Sequence, residues 1–135
     1  LVGMFGKKQV PAVGFSLGLE RILVVMEERG MFPNLSFGPD VLLCWMEGLA
    51  RADVLRVAHA LRRQGLKVEV FPEEAKLGKQ LQYADAPGVK APVAAIVGVE
   101  ELAAGQVTLK HLASGEQERV AQDGAGEAVR ALLRR

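Results

Sequence analysis

Five consecutive apolar residues, Val41-Leu42-Leu43-Cys44-Trp45, constrain this chain more than any other stretch. A strand with one wet face alternates apolar and polar residues, whereas an unbroken apolar run asks for cover on both faces. Such a strand belongs inside a sheet flanked by helices. The residues that follow supply those helices. Within residues 49–64, Val54, Val57, Ala58 and Leu61 fall on one helical face, and Gly65 stands where a C-cap belongs. Residues 66–71 read as a second strand, 77–84 as a helix stopped before Pro87-Gly88, and 92–97 as a third apolar strand. Residues 100–104 read as a short turn closed by Gly105. Residues 106–112 and 116–121 form a hairpin around Ala113-Ser114-Gly115. Residues 124–135 make a last helix, with Ala128, Val129, Leu132 and Leu133 apolar. The order is βαβαβ followed by ββα. The fold class is therefore α/β: a mixed, mostly parallel five-stranded sheet with helices on both faces, its parallel strands joined by right-handed crossovers.

Half of the 135 residues are hydrophobic and 24% are charged, enough apolar surface for a packed core. Cys44 has no second cysteine to pair with, which suits a reducing compartment, and a multi-cysteine zinc site is excluded. No apolar run is long enough to cross a bilayer, and the first residues lack the order of a secretory signal. A cytoplasmic location is the expectation. Because it begins at Leu1, without methionine, the sequence reads as a piece of a longer polypeptide. Net charge is +1, and residues 40–135 carry 13 basic and 13 acidic side chains. A protein that holds nucleic acid by bulk charge is far more basic. Any such role here needs a local patch and specific base contacts.

Ahead of the sheet, residues 1–30 read as turn, strand and helix. Gly3, Gly6, Lys7 and Lys8 make a polar loop, residues 11–15 a short strand, and Leu19, Ile22, Leu23 and Met26 a helical face leading to Gly30. Residues 31–39, with two prolines, read as a linker. The stretch Pro11-Ala12-Val13-Gly14-Phe15-Ser16-Leu17-Gly18-Leu19-Glu20-Arg21 carries the most chemistry. Gly14 and Gly18 let a flat or phosphorylated ligand approach the backbone, and the planar fork of Arg21 can pair with phosphate oxygens. On spacing alone, a glycine-relieved strand–helix junction with an ion pair from Glu20 or Arg21 accounts for the same residues.

Gly14-Phe15-Ser16-Leu17-Gly18-Leu19-Glu20-Arg21 resembles motif 3 of class II aminoacyl-tRNA synthetases, in the form found in histidyl-tRNA synthetases. Residues 76–85 (KLGKQLQYAD), 101–110 (ELAAGQVTLK) and 115–117 (GEQ) are similar to that family's C-terminal anticodon-binding domain, in the family's order. The resemblance implies that Arg21 contacts the terminal phosphate of ATP, bound with Mg2+, and that Gly14, Gly18 and Glu20 shape the adenylate pocket. It implies a parent enzyme that joins histidine to tRNA through an adenylate, chemistry that depends on positioning and on stabilising phosphate charge. It also implies a homodimeric parent with tRNA(His) as partner. Motifs 1 and 2 and the histidine-binding segments are missing from these 135 residues, so the chain alone is expected not to aminoacylate.

For residues 40–135 the resemblance implies binding of a splayed, single-stranded anticodon read on base edges and by stacking. By position, Glu74, Glu101 and Lys110 are the candidate readers: a carboxylate accepts from base amino or imino groups, and a lysine donates to carbonyls or phosphate. Lys76, Lys79 and Tyr83 are candidates for backbone and stacking contacts. Each has a plainer reading. Glu73, Glu74, Lys76 and Lys79 suit a solvated helix start with charge pairs, and Tyr83 suits packing. Arg56, His59, Arg62 and Arg63 read as the wet face of a helix, and Trp45 and Cys44 as core. His111 is a lone strand histidine, and Arg130, Arg134 and Arg135 favour a helix C-terminus. Two alternatives remain. A non-catalytic, histidyl-tRNA synthetase-like regulatory module is opposed by residues 40–135, which the biosynthetic paralogues usually lack. A flavodoxin-like nucleotide binder is opposed by the single glycine in Glu47-Gly48-Leu49-Ala50-Arg51.

Overall fold

A computed structural model describes residues 11, 13–32 and 38–134. The chain divides into two units, residues 1–35 and 36–135. In the first unit the helix α1 spans Leu19–Glu28. None of its residues is buried, and Leu19, Ile22, Leu23, Val24 and Val25 are all exposed. Of the strand expected at residues 11–15, the described residues carry no regular element, and neither do residues 16–18. A strand exists only as a member of a ladder, and no described residue pairs with this one. Gly3, Gly6, Lys7, Lys8, Ala12, the centre of the expected linker and Arg135 lie outside the described residues.

The second unit is the expected sheet. Its elements are β1 (Val41–Trp45), α2 (Arg51–Arg63), β2 (Val68–Val70), α3 (Leu77–Ala84), β3 (Val93–Val97), α4 (Val99–Ala103), β4 (Gln106–His111), β5 (Gln117–Ala121) and α5 (Ala125–Leu132), with a 3-10 turn, Gln122–Gly124, before the last helix. Strand order is β2-β1-β3-β4-β5. β1 pairs in parallel with β2 and β3, while β4 is antiparallel to both β3 and β5. Four strands thus run one way and β4 alone opposes them.

Every residue of β1 is buried, because both faces of the sheet are covered. On one face Val41, Leu43, Trp45, Val93, Ala95, Val97, Val107 and Leu109 meet Val54, Val57, Ala58 and Leu61 of α2 and Ala125, Val129 and Leu132 of α5. On the other, Leu42, Cys44 and Ala94 meet Ala84, with Leu77, Leu81 and Tyr83 of α3 packed alongside. α2 places its core residues at i, i+3, i+4 and i+7 and ends with Arg62 and Arg63 against its dipole. Gly65 follows at φ +83°, a conformation that costs residues with a Cβ.

Three expected boundaries shift for physical reasons. β2 is three residues long rather than six, because only Val41, Leu42 and Leu43 offer it a ladder; Leu66 and Phe71 beside it are still core. Residues 99–103 form the helix α4 rather than a turn, because Glu101 accepts the Gly98 N–H and closes its first turn. α5 stops at Leu132, leaving Leu133 exposed, while Ala125 and Gly126 enter the core instead. Among the described residues, no helix is long and apolar enough to cross a membrane, and no group of three or more His, Cys, Asp or Glu can hold a metal ion.

Candidate nucleic-acid interface

The parallel strands β1, β2 and β3 all end at one edge of the sheet. The chain leaves β1 towards β2 on one side and later adds β3 on the other, so strand order reverses at β1. In open α/β sheets ligands bind in the crevice beyond the strand carboxyl ends at such a reversal. Here a cleft of about 670 Å³ is lined by Met46 and Glu47 after β1, and by Glu74, Ala75, Lys76 and Leu77 leading into α3. Met46, Glu47, Glu74 and Lys76 are exposed. A smaller hollow of about 220 Å³ lies next to Trp45, between Arg51, Val54 and Leu55 of α2 and Val70, Phe71 and Pro72.

Gln80 fixes the shape of this edge. It is fully buried, and each polar atom of its amide is used. Trp45 N–H donates to its Oε1 at 3.0 Å; its Nε2 donates to the Trp45 carbonyl at 2.8 Å and the Ala75 carbonyl at 2.7 Å. Trp45 Nε1 in turn donates to the Phe71 carbonyl at 2.9 Å. The end of β1, the chain leaving β2 and the loop carrying Glu74 and Lys76 are thereby tied together by buried hydrogen bonds, which are strong where water is excluded.

The candidate residues fall into separate groups. Glu74 and Lys76 line the cleft. Lys79 pairs at 2.5 Å with Glu73, both exposed, and this ammonium holds the Glu73 carboxyl below its ordinary range. Tyr83 is half-buried: its ring meets Phe71 edge-on at 5.4 Å, and its hydroxyl donates to Glu69 at 2.6 Å. That bond to Glu69, with burial adding to it, pushes the phenol above its usual pKa. Glu101 has a side chain only 14% exposed. Its Oε2 accepts Gly98 N–H at 3.1 Å, and its Oε1 accepts Thr108 Oγ1 at 3.3 Å and Arg119 Nη2 at 2.7 Å. Burial opposes its charge most strongly, yet the backbone N–H groups, Arg119 and Thr108 together hold the carboxyl below the ordinary value. Lys110 is half-buried one residue before the end of β4, opposite Ala94 and Gln117. The structure thus joins Glu74 to Lys76 and sets Glu101 in a network of its own.

In the other unit, Gly18, Leu19, Glu20 and Arg21 line a surface hollow of about 680 Å³ at the start of α1. Gly14 has open space where a Cβ would stand, and at Gly18 a Cβ would meet only Arg21 Cβ, at 3.8 Å. Arg21 is exposed.

Two residues of the edge escaped sequence reasoning. A glutamine on the core-facing side of an amphipathic helix, four residues before the buried Ala84, is a readable signal for Gln80. Arg119 gave none, because only the β4–β5 register sets it opposite Thr108. For two of the remaining residues the plainer reading stands. Trp45 and Cys44 are core, and burial pushes the Cys44 thiol up to about 12. His111 has a local partner: Ser114 Oγ lies 2.9 Å from its Nδ1. Arg62 leaves the wet face to donate through Nε and Nη2 to the Val68 carbonyl on the edge strand.

Residues 40–132 match the family model described as an anticodon binding domain. The chain is similar to the histidine–tRNA ligase of Pyrococcus furiosus, 35% identical over 99% of this chain and 31% of that protein. It is 41% identical to the same-named protein of Rhodopirellula baltica over 90% of this chain and 27% of that one. The crystal structure of histidyl-tRNA synthetase from Nostoc sp. PCC 7120 superposes with a TM-score of 0.67 at 33% identity, covering 87% of this chain and 28% of that one. The chain therefore spans about three tenths of the length of the curated relatives it matches.

Proposed function

The chain belongs to the anticodon-binding domain family, and from that premise we propose that residues 40–135 bind the anticodon of tRNA(His) as the C-terminal part of a histidine–tRNA ligase. The observation that carries this reading is the cleft at the carboxyl ends of β1 and β2. It sets an exposed carboxylate, Glu74, beside an exposed ammonium, Lys76, on a loop held by the buried Gln80. A carboxylate accepts from base amino and imino groups, and an ammonium donates to base carbonyls or phosphates. Paired acceptor and donor discriminate bases without adding net charge, in keeping with the even balance of residues 40–135. Lys79 reaches the loop through Glu73, Tyr83 meets Phe71 ahead of it, Glu101 flanks the edge from α4, and Lys110 supplies a cation from β4.

The test is a titration of the 135-residue chain with RNA stem-loops carrying the histidine anticodon or a scrambled one. Tighter binding of the matching loop is expected, with Glu74→Gln or Lys76→Ala reducing the difference by about 1–3 kcal/mol. Equal affinity for the two loops removes the base-reading role.

For residues 1–30 we propose that Arg21, with Gly14, Gly18 and Glu20, belongs to the ATP site of the parent ligase, a cytoplasmic homodimer that uses histidine, ATP and Mg2+. An exposed guanidinium one turn into α1, at a hollow bordered by glycine backbone, fits a phosphate group. Arg21 would hold and orient that phosphate, and ATP would supply the activating group. In the parent ligase, Arg21→Ala is expected to abolish ATP–pyrophosphate exchange while leaving stem-loop binding intact. The 135 residues by themselves are proposed not to aminoacylate.

A further inference from the structure

Beyond the cleft, one face of the β4–β5 ribbon carries polar residues. Val107 and Leu109 point into the core, so Thr108 and Lys110 occupy the opposite face by the two-residue period of a strand. Their register partners on β5 are Arg119 and Gln117, both exposed. Thr108 also pairs with Ile96, one residue before the end of β3, which sets Arg119 at the same edge of the sheet as the cleft. The link runs through Gly98. A Cβ there would stand 2.9 Å from Glu101 Oε2 and 3.6 Å from Cγ of Met46, a cleft residue. Cleft, Gly98, Glu101 and Arg119 thus follow one another along the edge.

Glu101 is mostly buried and ionised, and its Oε1 accepts from Arg119 at 2.7 Å, while the Arg119 side chain is 53% exposed. One end of the guanidinium is anchored, leaving its remaining donors for an outside acceptor. The strand face presents two cations, Lys110 and Arg119, and the carboxylate beside them is already engaged on both oxygens. Such a face complements a phosphate.

We propose that Arg119, aimed by Glu101 and accompanied by Lys110, is a phosphate-contacting residue that grips the RNA backbone next to the nucleotide held in the cleft. Glu101 is then a positioning residue rather than a reader of bases. This inference rests on the anticodon-binding reading and deepens it. Phosphate contacts position RNA without reading its sequence. Arg119→Ala is therefore expected to weaken the matching and scrambled stem-loops by the same factor, about tenfold, the value of one charge-assisted hydrogen bond. The slope of log affinity against log salt becomes shallower by about 0.7–0.9. Arg119→Lys keeps the charge and restores most of the slope. Glu101→Gln separates aiming from bulk charge. Removing a negative charge would by Coulomb's law alone tighten RNA binding, but an amide oxygen cannot replace both carboxylate oxygens at once. Weaker binding in Glu101→Gln, with no added effect in Arg119→Ala, supports aiming.

The experiment is a salt-dependent titration of the 135-residue chain and these variants with both stem-loops, with urea unfolding confirming that each variant is folded. An unchanged slope in folded Arg119→Ala, a loss confined to the matching loop, or tighter binding by Glu101→Gln overturns the proposal. If the unsubstituted chain binds neither loop, the anticodon-binding reading itself fails, a result distinct from all of these.

Discussion

Glu101 shows how one side chain can serve two structures. Its carboxylate closes the first turn of α4 through Gly98 and holds β4 and β5 through Thr108 and Arg119. Those contacts favour the charged form and outweigh the burial that opposes it, so the folded pKa lies below the ordinary 4.5. The sign follows from linkage. A depressed carboxyl contributes stability that is present above its unfolded pKa and is lost as pH falls through the folded value. Stability measured by urea unfolding should decline as pH drops below about 4.5, and Glu101→Gln should flatten that part of the profile while lowering stability at pH 7. The sequence marks Glu101 as a candidate reader; its actual partners depend on two strands whose pairing no local pattern reports.

At the scale of elements, the sheet edge depends on a polar group inside the core. Replacing Gln80 by leucine preserves bulk and apolar character, so packing alone predicts little change. Hydrogen bonding predicts otherwise. Trp45 N–H and the Trp45 and Ala75 carbonyls would each lose the partner that Gln80 provides. Orphaned buried groups cost about 1–3 kcal/mol each and are not additive, so Gln80→Leu should destabilise the chain by about 2–4 kcal/mol. Denaturant midpoints measure this. The helices and strands of residues 40–135 were legible because hydrophobic period and glycine punctuation are local signals. The strand expected at residues 11–15 was not legible in the same way: its apolar residues promise a ladder, yet Val13 is 98% exposed, and a strand takes its definition from neighbours.

The whole molecule has two units of unequal self-sufficiency. Residues 36–135 enclose both apolar clusters, while α1 buries none of its residues. Residues 36–135 expressed alone should unfold in urea with one cooperative transition and the same midpoint, within error, as the sheet of the 135-residue chain; a lower midpoint would show that residues 1–35 stabilise it. The sequence by itself determined the fold class, the order of elements, the core positions and the family resemblance, because each is written in short-range periodicity or contiguous motifs. Local pairs such as Lys79 with Glu73 lie within reach of the sequence, but tertiary structure alone decided which distant polar residues meet. Gln80 reaches Trp45 across 35 residues and Arg119 reaches Glu101 across 18. Contacts of that range arise only after strands have paired in register, and register is a property of the closed sheet rather than of any segment within it.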